Sequence, residues 1–170
     1  ILSHKHPFYI PEWTNEVHHE VELVVKIDRV GKTISEEHAP SYYSEVGLGL
    51  DLTARDVQMR LKANGHPWER AKAFDGSAVV GEFISLGDLG RDVQDLRFTL
   101  SNRDNILQEG CTQNMLFSVN QLIAEVSRFM TLKVGDLLFT GTPAGVAPVK
   151  SGDRLVGTLE GRDLFAVDIK

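Results

Sequence analysis

Three observations predict a β-rich α+β domain with a few short helices. Apolar and polar residues alternate and then merge in "VHHEVELVVKI" (17–27), and a similar run follows in "EVGLGLDL" (45–52). Helical periodicity is confined to two short windows, "TARDVQMRLKANG" (53–65) and "SVNQLIAEVSRFM" (118–130). Strand-like runs then recur to the C-terminal end, near 154–158 and 164–169. Many strands with few helices suit a sheet-built domain.

Each element has a local reason. Gly31 centres a turn in "RVGKTI" after the first strand. "SEEHAPSYY" opens like a helix with Ser35 as N-cap, and Pro40 limits it to a turn or two. Gly47 and Gly49 share one face of the second strand, where a neighbour can approach closely. Thr53 and Asp56 have capping-box spacing, with Asp in place of the usual Glu or Gln, and Gly65 is placed to close that helix. Asp51 therefore falls where a strand meets a helix. "HPWERAKAFDGSAVVGEF" reads as a Gly- and Pro-punctuated loop and a short strand, with Lys72 in the loop between Trp68 and Phe74. "LRFTLSNRDNILQEG" reads as a hairpin turning near 102–105. Ser118 caps a helix whose apolar face is Val119, Leu122, Ile123, Val126 and Met130. "DLLFTGTPAGV" is a buried strand entering a Gly/Thr/Pro turn.

Composition narrows the partners. A chain of 170 residues, 42% apolar and 25% charged, is expected to form one domain with a substantial core. With 18 basic against 24 acidic residues the net charge is −6, and the basic residues form no runs. That leaves no positive field for nucleic acid or an acidic membrane surface. No apolar run approaches the roughly 20 residues that cross a bilayer. The single cysteine, Cys111, cannot form an internal disulfide and is expected to be structural. A cytoplasmic protein is expected. The chain opens "ILSHKHPFYIP" without Met, as though residues had preceded it.

Three carboxylates stand at strand positions that could deliver them to one place: Glu20, Glu22 and Asp51. Residues i and i+2 of a strand face the same way, so Glu20 and Glu22 repel unless something rewards the arrangement. Either the pair lines a solvated sheet face, or the three form an all-oxygen set suited to Mg²⁺ or Mn²⁺, and less well to Ca²⁺. His4, His6, His18 and His19 lack the cysteine partners or H-E-x-x-H spacing of a zinc site. No G-x-S-x-G follows a strand, which disfavours a serine nucleophile. Lys72 is either a solvated loop residue or a positive group beside an oxyanion. "TGTPAGV" is either an ordinary turn or a nest of backbone N–H groups with Thr140 and Thr142.

The ordered segments "EVHHEVELVV", "GLDLTARDVQ", "PWERAKAFDGSAVVG" and "MTLKVGDLLFTGTPAGV" resemble the fumarylacetoacetate hydrolase family over nearly the whole chain. They look most like its small acylpyruvate hydrolase, oxaloacetate decarboxylase and diene-dioate isomerase members. The resemblance implies a mixed β-sandwich roll, a homodimer, and a Mg²⁺ or Mn²⁺ site. It places the metal ligands on Glu20, Glu22 and Asp51 and the active-site lysine on Lys72. Arg55, Gln58 and Thr142 fall on positions around the substrate, Thr142 on the one that holds its carboxylate.

The implied chemistry acts on small 2-oxo acids, whose carboxylate and adjacent carbonyl can chelate one divalent ion. Hydrolytic cleavage of C–C bonds in acylpyruvates or related β-diketo acids is the leading expectation. Decarboxylation or tautomerisation of oxaloacetate-like acids, or isomerisation of 2-hydroxyhepta-2,4-diene-1,7-dioate, is the alternative. Hydrolytic members also carry an upstream His and Glu that activate water. That segment is expected to lie before residue 1, and His4 and His6 do not match it. A non-catalytic binding remnant is the third expectation.

Overall fold

The computed structural model describes residues 1–103 and 105–170. Its largest sheet has five strands in the order β1 (Leu2–Ser3), β6 (Ala78–Ser85), β4 (Tyr43–Asp51), β3 (Val21–Ile27) and β9 (Leu137–Phe139). All neighbours in it are antiparallel except β1 and β6. A four-stranded meander, β12 (Arg162–Asp168), β11 (Arg154–Leu159), β7 (Arg97–Asn102) and β8 (Asn105–Cys111), packs β11 and β12 across β4 and β6. The core between them joins Leu48, Leu50, Leu155, Leu164, Phe165 and Ile169, all nearly inaccessible to solvent. A third sheet orders β10 (Ala147–Pro148), β2 (Val17–His19) and β5 (Thr53–Ala54). The expected β-rich sandwich with few short helices is the fold observed.

β3 explains why alternation fades into "LVV". It is flanked by β4 and β9 and covered on both faces, so Leu23, Val24 and Val25 are all fully buried. The expected single strand over 17–27 is instead two. β2 pairs with β5 and β10, β3 pairs with β4 and β9, and Glu20 is the residue between them. Nothing local marks this break, because it arises from the chain changing sheets.

Helix α1 (Arg55–Ala63) ends as expected, with Gly65 just beyond its C-cap at φ 65°. Its start differs. The N-cap is Ala54, without a side-chain cap, and Thr53 lies in β5. Asp56 accepts hydrogen bonds from the Thr14 hydroxyl and from the Asn15 N–H at 3.1 Å. The spacing that suggests a capping box therefore serves a tie across some forty residues. Segment 66–83 holds a one-turn helix, α2 (Glu69–Lys72), and the eight-residue β6, rather than a loop and a short strand.

Beyond β6, a single turn, α3 (Leu86–Leu89), leads to the meander. Helix α4 (Val119–Phe129) has its capping box between Ser118 and Gln121. Met130 lies past its end and is exposed, while Ser127 takes a buried slot and accepts the Ile34 N–H at 2.9 Å. The Ser35 region is a turn followed by a 3₁₀ segment, Ala39–Tyr42. β7 and β8 pair as the expected hairpin, whose Asp104 lies outside the described residues. Among the described residues, no helix is long and apolar enough to cross a membrane.

The paired glycines of β4 are used as expected. A Cβ on Gly49 would lie 2.7 Å from the Phe139 ring and 2.7 Å from the Val79 carbonyl. Backbone on one side leaves little room to yield, so Gly49→Ala is expected to cost about 1–3 kcal/mol. The check is the urea midpoint at unchanged m-value.

Candidate metal centre

The sheet change at Glu20 brings the carboxylates together. The Asp51 N–H donates to the Glu20 carbonyl at 2.9 Å, tying the end of β4 to the junction between β2 and β3. Across the ladder Glu22 faces Gly49, which presents no side chain. As a result one oxygen from each of Glu20, Glu22 and Asp51 lies within 4.8 Å of the others. Glu20 is 8% and Glu22 5% exposed. A solvated sheet face is ruled out.

Two cations lean into this cluster. Lys72, the last residue of α2, donates to Glu20 Oε2 at 2.8 Å and to Thr53 Oγ1 at 2.7 Å, and forms an ion pair with Asp51. Arg55, the first residue of α1, pairs with the other oxygen of Glu20 and donates to Gln58 Oε1 at 2.6 Å. Burial pushes the Glu20 carboxyl up, but Lys72 and Arg55 outweigh it and hold the group below its ordinary value. Glu22 has no such partner. Burial raises it to about 7, against the Gly141 N–H that donates to its Oε2 at 2.7 Å, with Asp51 adding to the rise. Burial likewise raises Asp51, despite Lys72.

Two buried carboxylates and a half-buried one, two of the three reluctant to ionise, are a hard, all-oxygen donor set. That fits a divalent ion such as Mg²⁺ or Mn²⁺. Glu20, Glu22 and Asp51 would hold it.

The structure brings Arg55, Gln58 and Lys72 to the same place. Thr142 sits beside them on the 140–144 turn, but its hydroxyl donates to the Val21 carbonyl at 2.8 Å and accepts from Gln108 Nε2 at 2.9 Å. Its side chain thus fixes the turn against β3. Thr140 does the same, donating to the Leu23 carbonyl at 2.9 Å. His4 and His6 lie apart from the cluster on the N-terminal segment, and His18 pairs with Glu16. Cys111 ends β8, half-buried and unbridged.

Gln108 and His19 do structural work that sequence reasoning missed. Gln108, 1% exposed on β8, donates to Thr142 and to the Pro143 carbonyl at 3.0 Å. Its Oε1 accepts the Val21 N–H at 3.1 Å and lies 2.8 Å from His19 Nδ1. One amide, fully satisfied, therefore rivets four segments around the carboxylates. His19 is 1% exposed, and burial lowers its tendency to protonate, more than the contact with Gln108 raises it. The available signal was the polar residue among apolar neighbours in "NILQEG", which an inward-facing strand position would have flagged.

Comparison with known proteins assigns the chain to a family. Residues 1–168 match the family described as fumarylacetoacetate (FAA) hydrolase, C-terminal. Oxaloacetate tautomerase YcgM of Escherichia coli (strain K12) is 43% identical over 160 residues, which cover 94% of this chain and 73% of that protein. The mitochondrial oxaloacetate decarboxylase of Dictyostelium discoideum is 37% identical over 163 residues, covering 96% of this chain and 74% of its own length. The crystal structure of fumarylpyruvate hydrolase from Pseudomonas aeruginosa, in complex with Mn²⁺ and pyruvate, superposes with a TM-score of 0.91 at 34% identity, covering 99% of this chain and 72% of that one. The chain belongs to the fumarylacetoacetate hydrolase family, a family of metal-dependent enzymes.

Two outcomes follow from the geometry. Glu22→Ala and Asp51→Ala are each expected to weaken Mn²⁺ binding, measured by calorimetry, by at least about tenfold. The second concerns the chelated protein. Glu22 has a folded value raised above its unfolded one, so folding retains a proton between pH 4.5 and about 7. Its contribution to stability therefore falls as pH rises through that window and is flat above it. Glu22→Gln removes the loss. In EDTA the variant should gain on the parent between pH 4.5 and 7, by at most about 3 kcal/mol at pH 8, in denaturant unfolding.

Proposed function

We propose that this protein interconverts the enol and keto forms of a short 2-oxo dicarboxylate of the oxaloacetate type. The observation that carries the reading is the carboxylate triad with Lys72 wedged against it, in a chain 43% identical to an oxaloacetate tautomerase. Acylpyruvate hydrolysis, the leading expectation from sequence, is supported less well than this alternative. A divalent ion held by Glu20, Glu22 and Asp51 supplies Lewis-acid polarisation of the 2-oxo group.

The residues of the chain do the rest. Tautomerisation moves one proton between the C2 oxygen and C3, with no bond broken in the carbon skeleton. Lys72 carries a transferable proton, and Glu20, Asp51 and Thr53 fix its direction. Arg55, braced by Gln58, adds a second positive group for a substrate carboxylate. The 140–144 turn, pinned by Thr140, Thr142 and Gln108, presents its backbone as a rigid wall. With Mn²⁺, loss of enol absorbance from oxaloacetate should accelerate without matching CO₂ release. Lys72→Met is expected to lower kcat by about 10²-fold or more while Mn²⁺ still binds.

Hydrolysis is the second reading, favoured by the likeness to fumarylpyruvate hydrolase. Faster cleavage of acetylpyruvate or fumarylpyruvate than enol–keto exchange would establish it in place of the first.

The same reading takes the working unit as a homodimer, as the family resemblance implies. Leu116 (94% exposed) and Phe117 (61%) rim a cavity of about 500 Å³ lined by Phe98, Met115 and Leu122. The exposed apolar rim of Leu116 and Phe117 suits a second copy of the chain. Leu116→Glu with Phe117→Glu should halve the mass seen by light scattering.

A further inference from the structure

The helix pair that presents Arg55 and Lys72 to the carboxylates carries a separate cavity on another face. It measures about 330 Å³ and is lined by Trp13, Val57, Arg60, Arg70 and Phe74. That volume suits a small organic ligand. Its base is apolar: Val57 is 3% exposed and belongs to the small core cluster of α1 and α2, against which Phe74 packs. Trp13 meets Phe74 edge-on, with ring centres 5.2 Å apart and planes at 83°, yet leaves half of its own surface in solvent. An indole held this way offers a flat face to an incoming ring.

The charge at the mouth is positive. Among the described residues, Arg60 and Arg70 form no ion pair, whereas Arg55 and Lys72 on the same two helices both do. Asp56 on α1 feels the charge of Arg60, but its oxygens accept hydrogen bonds from Thr14 and Asn15 rather than from the guanidinium. On the other side of Trp13 and Phe74 a second hollow carries Glu12 and Asp75. The aromatic pair thus separates a cationic side from an anionic one, so an acid is directed to the arginine side.

We propose that this cavity binds a planar aromatic carboxylate, its ring against Trp13 and Phe74 and its carboxylate between Arg60 and Arg70. Arginine matches a carboxylate by paired N–H donors and also stacks on aromatic planes, so both ends of such a ligand are recognised. A small aliphatic 2-oxo acid lacks the ring that the pocket would cover. The site is therefore distinct from the metal centre and independent of the reaction assigned there.

The test uses 2-naphthoate as probe, with calorimetry on the EDTA-treated protein in its full-length form. Binding in the micromolar to low-millimolar range is expected, at one site per chain, and unaffected by excess oxaloacetate. Arg60→Ala with Arg70→Ala should weaken it at least tenfold, and Trp13→Ala should do the same. Neutral 2-naphthamide should bind the parent at least tenfold more weakly than naphthoate. Neither variant touches the carboxylate cluster, so Mn²⁺ binding serves as the control for folding. Three results would overturn the proposal: no heat up to 5 mM naphthoate, binding that both variants leave unchanged, or displacement by oxaloacetate.

Discussion

Three carboxylates gathered within 4.8 Å of one another, two of them buried, are the constraint around which the rest of this structure is arranged. Like charges at that distance in a poorly solvated place repel strongly. Unrelieved, they would favour protonation or a splayed backbone. The fold meets the problem with fixed partners of graded strength. Glu20 receives Lys72 and Arg55, Asp51 shares Lys72, and Glu22 receives one backbone N–H from Gly141. Their proton affinities reflect these partners: Lys72 and Arg55 hold Glu20 below its ordinary value, whereas burial raises Asp51 and takes Glu22 to about 7.

Holding such a cluster requires a stiff frame, and the secondary structure provides one. β3 is buried on both faces and clamped between β4 and β9. The chain changes sheet at Glu20, so that Glu20 projects from the junction between β2 and β3 while Glu22 projects from the β3 ladder. Gly49 opposite Glu22 leaves space on that side, and Phe139 fills the hollow that the glycine creates behind it. The 140–144 turn cannot drift, because Thr140 and Thr142 hydrogen-bond to consecutive outward carbonyls of β3 and Gln108 closes the remaining gap. Every polar buried side chain among the described residues finds a partner, as expected where a misplaced dipole would be costly.

What the sequence revealed and what it hid divide along one line, local against long-range. The E-x-E pair, Asp51 at a strand end, the Ser118 capping box, the Gly65 terminus and the paired glycines of β4 all depend on residues a few positions apart, and each was readable. The strand break at Glu20 has no Gly or Pro to mark it, because it is imposed by which neighbours β2 and β3 find. Asp56 was misassigned for the same reason: the spacing to Thr53 is right for a cap, but Thr14 and Asn15 offer better geometry. Gln108 joins segments nearly ninety residues apart. The one-turn α2 is too short for any periodicity to register, although it aims Lys72.

The hydrogen-bond ledger also indicates how the centre accepts a cation. Both Glu20 oxygens are engaged, Oε1 by Arg55 and Oε2 by Lys72, and Asp51 Oδ2 is engaged by Lys72. Glu22 Oε2 holds the Gly141 N–H. Among the described residues this leaves Glu22 Oε1 and Asp51 Oδ1 without a partner, on the two groups whose burial is least compensated. A divalent ion therefore gains most from the carboxylates that the protein itself neutralises least. Lys72 contributes to the same balance, since it occupies oxygens of Glu20 and Asp51 that belong to the triad. Any positive charge brought to the triad weakens the hold of those carboxylates on the ammonium. Lys72 and a divalent ion are therefore alternative partners for the same carboxylate oxygens.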